Sequence, residues 1–186
     1  DSLAIDFSGQ TVASSNFFGG GKGNDVIDLK NAGSVSVFVA KGGSGRDTIT
    51  LDAIDGSQIS IGGNAGHDEI TYSGAATKSY VGGGKGNDTI DLDGTFAGSI
   101  YGGLLNDGIT VEAITDKTVL NGDAGADAIT VATVSGAGTY INGNAGNDTI
   151  DLDGTFAGSI YGGLLNDSID VQGISDKTVL NGDSGN

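Results

Sequence analysis

Eight aspartates are the residues of this chain best placed to do chemistry. They are Asp25, Asp47, Asp68, Asp88, Asp107, Asp127, Asp148 and Asp167, at spacings of 22, 21, 20, 19, 20, 21 and 19 residues. Each closes a six-residue block that opens on Gly: 20–25, 42–47, 63–68, 83–88, 102–107, 122–127, 143–148 and 162–167. A ninth block, 182–186, stops one residue short of its Asp. Carboxylates in Gly-rich turns suit a hard cation. Ca²⁺ takes about six to eight oxygens, and Gly lets a turn adopt positive φ and aim its carbonyls at one point. A line of such carboxylates would repel itself unless a cation stood between its members.

The elements that must hold these turns are short strands. Two residues after each Asp stands Ile, at 27, 49, 70, 90, 109, 129, 150 and 169. Two residues further come Leu29, Leu51, Tyr72, Leu92, Val111, Val131, Leu152 and Val171, with Asp or Thr in between. That is a period of two, with Ile facing inward. A second apolar run precedes each Gly block, as in Ile59-Ser60-Ile61 and Ser99-Ile100-Tyr101. An irregular loop such as 93–98 is expected between the two strands. About twenty residues cannot form a domain alone, but stacked coils bury a continuous core. The expected fold is all-β: a right-handed parallel β-roll or β-solenoid of about nine coils of 19–22 residues, two strands per coil. At the inter-strand spacing the rod is about 40 Å long. Residues 1–186 form a single array. Within it, 90–123 and 150–183 differ at only five positions, which makes a 60-residue duplication of three coils.

Composition narrows the function. The chain has 36 Gly and no Pro, Cys, Met or Trp, and 37% of it is hydrophobic. Gly has no period of three, so collagen is excluded. The formal charge of −16 excludes nucleic acid as a partner, because phosphate binding needs a basic face. No apolar run is long enough to insert in a membrane. Without Cys there are no disulfides or thiolate metal sites. The absence of Met reads as an excised or processed piece of a longer protein.

The blocks resemble the RTX nonapeptide, Gly-Gly-x-Gly-x-Asp-x-U-x with U apolar, of hemolysin-type calcium-binding β-rolls. Residues 20–28 (Gly-Gly-Lys-Gly-Asn-Asp-Val-Ile-Asp) and 83–91 (Gly-Gly-Lys-Gly-Asn-Asp-Thr-Ile-Asp) match it in full. The resemblance implies several Ca²⁺ between adjacent coils. Their ligands would be the eight Asp carboxylates and turn residues of neighbouring coils: Gly20, Lys22, Gly42, Ser44, Gly63, Ala65, Gly83 and Lys85. Asp123 and Asn144, like Asn64 and Asp183, replace the second Gly and are expected to add side-chain oxygens. One block per coil, instead of two, implies calcium turns along one edge. That is more similar to the long-coil repeats of S-layer proteins and large bacterial adhesins. Seven inter-coil Ca²⁺ would nearly offset the charge of −16. At 105 and 165 Leu stands where Gly is expected, and those turns are expected to be redrawn, with weaker metal sites.

Enzyme activity is not expected. The only His, His67, falls in a turn position that other blocks fill with Asn, Arg or Ala, and the carboxylate pair Asp91/Asp93 recurs as Asp151/Asp153. Ice binding needs a regular Thr array, and Thr48-Ile49-Thr50 is the one complete Thr-x-Thr after a block. The expected role is a calcium-binding structural segment of a secreted cell-surface protein, exported by type I secretion as the resemblance implies. It would fold outside the cell, with copies of itself in a lattice or a cell-surface glycan as partners. The alternatives are a non-catalytic RTX module attached to a secreted enzyme or toxin, or an ice- or glycan-binding face of an adhesin. Tyr80, Tyr101, Tyr140 and Tyr161 leave the glycan reading open.

Overall fold

A computed structural model describes every residue except 11, 13, 14, 116, 176, 177 and 186. The described residues form seventeen strands and no helix. All the strand pairings are parallel, and they sort into two ladders. One ladder follows the Gly blocks: Ser2–Asp6, Val26–Val35, Thr48–Ser57, Glu69–Tyr72, the first part of Thr89–Leu104, Gly108–Ile114, Ala128–Val134, Thr149–Phe156 and Ser168–Ile174. The other leads into them: Asn16–Lys22, Phe38–Ser44, Ile59–Ala65, Ala75–Lys85, the second part of Thr89–Leu104, Val119–Ala124, Thr139–Ala145, Gly158–Leu164 and Val179–Asn181. The result is a β-solenoid of about nine turns, with every Gly block at the same edge.

Register follows from the Ile column. Leu3, Ile27, Ile49, Ile70, Ile90, Ile109, Ile129, Ile150 and Ile169 pair in succession. From Ile27 to Ile150 the column is buried, and Ile169 is partly buried. On the leading ladder Phe18, Ala40, Ile61, Val81, Ile100, Leu120, Ile141, Ile160 and Leu180 pair in the same way. A one-residue slip in either ladder would turn its whole apolar set outward, so burial specifies register strongly.

The connection between the two strands differs from the expected irregular loop. Thr89–Leu104 is one unbroken strand through 93–98. Thr95 and Phe96 pair with Ala75 and Ala76 on one side and with Ala113 and Ile114 on the other. The reason is Phe96, which is 1% exposed. With Ile54, Ala76, Ile114 and Phe156 it forms a third buried set between the two columns. Drawing that side chain inward takes the backbone into contact with the neighbouring coils, where its polar groups must pair. The offset is absorbed by register shifts such as that between Val111 and Ala113.

This arrangement predicts a contrast within one strand. Ile90 is fully buried and Asp91 points outward, where burial and Asp93 raise its pKa. Ile90→Asn removes apolar contacts and buries an amide, and is expected to cost about 3–5 kcal/mol. Asp91→Asn is expected to change stability by less than about 0.5 kcal/mol. Urea denaturation of both variants in calcium checks this, and equal losses would mean the strand faces the other way.

Candidate metal-binding edge

Each Gly block starts as strand. Its first three residues continue the leading strand, and pairings such as Ser44 with Ala65 carry the ladder into the turn. The turn is then made by left-handed backbone at the second and fourth positions. In the 63–68 block these are Asn64 at φ 80° and Gly66 at φ 144°. Two left-handed residues separated by one reverse the chain within the block and bring Asp, at position six, back against the first Gly.

The eight Asp therefore form one line, buried from Asp25 to Asp148 and partly exposed at Asp167. Asp25 through Asp148 are each no more than 3% exposed. One carboxylate oxygen of each is used between coils. Asp25 N–H donates to Asp47 Oδ1 at 2.8 Å, Asp47 to Asp68 at 2.8 Å, Asp68 to Asp88 at 2.7 Å and Asp88 to Asp107 at 2.8 Å. Asp107 donates to Asp127 at 2.8 Å, Asp127 to Asp148 at 2.8 Å and Asp148 to Asp167 at 2.9 Å. The other oxygen, Oδ2, is buried without a hydrogen-bond partner in all eight.

Those orphaned oxygens share a cradle. A Cβ placed on Gly20 would stand 2.6 Å from Asp25 Oδ2 and 2.6 Å from the carbonyl oxygen of Gly42 in the next coil. The same pair, own Asp Oδ2 and next-coil glycine carbonyl, flanks Gly63, Gly83, Gly102 and Gly143. Only Gly leaves this space open, and oxygens of opposite coils converge on it. No three His, Cys, Asp or Glu side chains form a metal-binding group among the described residues. The carboxylates come one per coil, so an ion here would draw most of its oxygens from carbonyls and water, as Ca²⁺ does in flexible sites.

Electrostatics give the same picture. Burial raises the pKa of Asp68 and Asp127 to about 6 and that of Asp107 to about 7. Each is opposed by the N–H it accepts from the preceding Asp, and each is raised further by neighbouring ladder carboxylates. Asp47, Asp88 and Asp148 are raised too, chiefly by burial. A buried carboxylate with one unpaired oxygen is costly, and such a group takes up a proton or a cation.

The expected carbonyl donors divide. Gly20, Gly42, Gly63 and Gly83 are the glycines whose Cα hydrogens face Oδ2. At the third position the carbonyls of Ser44, Ala65 and Lys85 each accept the N–H of Gly23, Gly45 and Gly66 at 2.7 Å, which leaves one lone pair apiece. Lys22 pairs with Ser44 at the start of that row. Asp123 and Asn144 occupy the second position, and the Asp123 charge raises the pKa of Asp107 and Asp127. They stack in one column on the outer face of the leading ladder, where Asn144 Nδ2 donates to Asp123 Oδ1 at 3.1 Å. Neither hydrogen-bonds to the Asp line. Left-handed backbone at the second position explains their type, since Asn and Asp tolerate it best after Gly.

The turns containing Leu are not redrawn. Leu105 and Leu165 hold φ 78° and 84°, a tighter left-handed conformation than the glycines they replace. Leu105 N–H donates to Ala124 O at 2.6 Å, as Gly45 does to Ala65, and Gly102 keeps its Asp107 Oδ2 and Gly122 carbonyl neighbours. Stacking on both sides holds the turn against a strain of roughly 1–2 kcal/mol. The leucine side chains point out and are 56% and 59% exposed.

One feature of the edge went unread in the sequence. The fifth block position forms an amide ladder outside the Asp line: Asn24 Oδ1 accepts Arg46 N–H at 2.9 Å, Asn87 accepts Asn106 at 3.1 Å, Asn106 accepts Ala126 at 2.9 Å and Asn147 accepts Asn166 at 3.0 Å. His67 takes the same role, its Nδ1 accepting Asn87 N–H at 2.8 Å. The recurrence of Asn at 24, 87, 106, 147 and 166 was the available signal. Comparison with protein-family models, with curated proteins and with solved structures found no match.

A pH effect follows. Unfolded carboxylates titrate near 4. Groups raised to about 6 and 7 hold protons in the folded chain that the unfolded chain has already lost. Between about pH 4 and 7 the folded state therefore binds more protons, and stability falls as pH rises. In EDTA the melting temperature is expected to be higher at pH 5 than at pH 8. A flat or opposite profile would show that the ladder carboxylates are not under strain.

Proposed function

We propose that this chain is a calcium-binding structural segment of a secreted bacterial cell-surface protein, an S-layer protein or a large adhesin, that folds when it meets extracellular calcium. The observation that carries the reading is the row of eight buried Asp Oδ2 atoms without partners. A polypeptide with 36 Gly orders at high entropic cost. Buried charge along one edge adds to it. A divalent cation between successive turns relieves both, because it takes up Oδ2 and ties two coils together. Asp supplies the charge, carbonyls of the first and third positions supply neutral oxygens, and the first Gly leaves the room. The equivalent oxygens at the Leu blocks extend the reading to all seven gaps between the eight aspartates.

Extracellular calcium sites typically dissociate at about 10⁻⁴ to 10⁻³ M. At a free concentration about ten times the dissociation constant, each site adds about 1.4 kcal/mol, and several along one rod add severalfold more. Inside a cell the same term is close to zero, which suits a chain exported unfolded through a type I secretion route. The role is mechanical, not catalytic. Coils that carry the same turn in the same place make a spacer or a lattice wall, and the 60-residue duplication lengthens it without creating a unique centre.

Circular dichroism in EDTA, in magnesium and in calcium tests this. The β signal and melting temperature are expected to rise steeply in calcium alone, with close to seven ions bound per chain by elemental analysis. Identical spectra and melting points in EDTA and calcium would end the proposal. Asp88→Asn sharpens the test. The amide keeps an Oδ1 for Asp68 N–H and removes the buried charge, so the EDTA melting point is expected to rise while the calcium-induced shift shrinks. A purely turn-capping Asp would show no change in the calcium shift.

A further inference from the structure

The outer face of the leading ladder carries a second arrangement, which the metal edge does not use. On this face the tyrosines come in pairs. Tyr80 and Tyr101 have ring centroids 5.7 Å apart with planes inclined by 31°, and Tyr140 and Tyr161 are 5.3 Å apart at 34°. The rings are not props for the core, which is filled by Val81, Ile100, Ile141 and Ile160 on the opposite side of the same strands. Tyr80 is 42% exposed. Its ring lies down over Gly82, where a Cβ would meet Tyr80 Oη at 2.5 Å and Cζ at 3.0 Å. The ring thus covers the Gly82 backbone, and Tyr101, Tyr140 and Tyr161 are half-buried on the same face. Lys41 reaches toward its ring, with Nζ 5.4 Å from the centroid.

Each pair borders a shallow cleft with an acid at its edge. The first is lined by Tyr80, Tyr101 and Asp123 over Gly82, Gly84 and Gly103. The second is lined by Tyr140, Tyr161 and Asp183, with Asn142 and Asn144 in place of two of the glycines. The clefts stand 60 residues apart, three coils along the rod, or about 14 Å at the strand spacing. Tyr80 and Tyr140 lie outside the nearly identical 90–123 and 150–183 segments. The coils around them have diverged at Gly82/Asn142, Gly84/Asn144 and Lys85/Ala145, yet both keep Tyr. The opposite outer face is different in kind, with Asp28, Thr50, Thr71, Asp91, Thr110, Thr130, Asp151 and Asp170 in its central column.

We propose that the paired-tyrosine clefts bind a neutral polysaccharide along the rod, one segment in the Tyr80–Tyr101–Asp123 cleft and another in the Tyr140–Tyr161–Asp183 cleft. Aromatic faces carry partial negative charge and accept the C–H face of a sugar ring. Carboxylate, amide and phenol groups beside them offer acceptors and donors to hydroxyls, which need both. The net charge of −16 and the acids at both clefts disfavour an anionic polymer. Two like clefts on one line match a ligand that repeats along its own length, and occupation of one raises the effective concentration at the other. The inference adds a ligand to the cell-surface reading and depends on calcium only through the fold.

Native gels cast with barley β-glucan, galactomannan, dextran or glycogen, run in calcium, test it. At least one polymer is expected to retard the chain. Tyr101→Ala or Tyr161→Ala alone is expected to weaken retardation about tenfold through lost avidity, and the double variant is expected to migrate as in a blank gel. A hexasaccharide of the retarding polymer is expected to bind by calorimetry at two equivalents per chain, falling to one in either single variant. Asp123→Ala/Asp183→Ala gives an independent double variant should the tyrosine changes disturb folding. Circular dichroism of the same samples separates the outcomes: a folded chain that no polymer retards, or retardation unchanged in both double variants, overturns the saccharide site and leaves the calcium proposal standing. A chain unfolded in calcium would instead strike at the calcium proposal.

Discussion

One hydrogen bond, repeated seven times, organises this molecule: the backbone N–H of each ladder Asp to Oδ1 of the Asp in the next coil. It fixes the vertical register of the turns and so of the strands on either side. It also commits the carboxylate. Once Oδ1 is held by the coil before, Oδ2 is turned into the space over the first Gly, out of water and without a donor. Stacking and charge burial are thus the same event. The rod cannot close its turns without lining them with carboxylates, and it cannot leave those carboxylates charged and unpaired without cost.

The same constraint explains how much variation the turn tolerates. Coil length varies from 19 to 22 residues, yet the spacing inside each block never changes. Length is absorbed on the far side of the coil, by register shifts such as Lys30/Gly33, Val111/Ala113 and Leu152/Thr155. Those shifts sit beside the third buried set, where a strand need only deliver one apolar side chain and pair where it can. The turn has no such freedom, since three separate intercoil ladders run through it: Asp N–H to Asp, the fourth-position N–H to the third-position carbonyl, and the fifth-position amides. Leu105 and Leu165 persist in left-handed backbone because all three ladders hold them there.

The two outer faces then divide the surface chemically. Outward residues after the turn are short and polar, mostly Thr and Asp. Before the turn they are mixed, with Tyr, Asn, Lys, Ser, Val and Phe among them, and at two glycines long side chains lie flat, Tyr80 over Gly82 and Lys41 toward Gly62. Parallel stacking puts equivalent positions one strand apart, so a residue type repeated in sequence becomes a stripe, and two types in neighbouring columns become a cleft.

Much of this was legible in the sequence, because a solenoid turns sequence period into spatial neighbourhood. Ile at a constant offset from each Asp determined the inward column and its register, and the block spacing determined the number of coils and the single edge on which the turns lie. What the sequence left open was decided by neighbours in adjacent coils. Residues 93–98 read as a loop, with no alternation and two Gly, but Phe96 is drawn inward and its backbone pairs above and below. Leu at 105 and 165 read as a broken turn, because intrinsic preference was the only term visible, and stacking outweighs it. Asp123 and Asn144 read as extra ligands. The pleat stacks them in one column on the outer face, where Asn144 Nδ2 donates to Asp123 Oδ1, and that pairing only the tertiary structure decides. The division of labour within each carboxylate, one oxygen for stacking and one left bare, depends on a rotamer set by the next coil, twenty residues away, and no spacing encodes it.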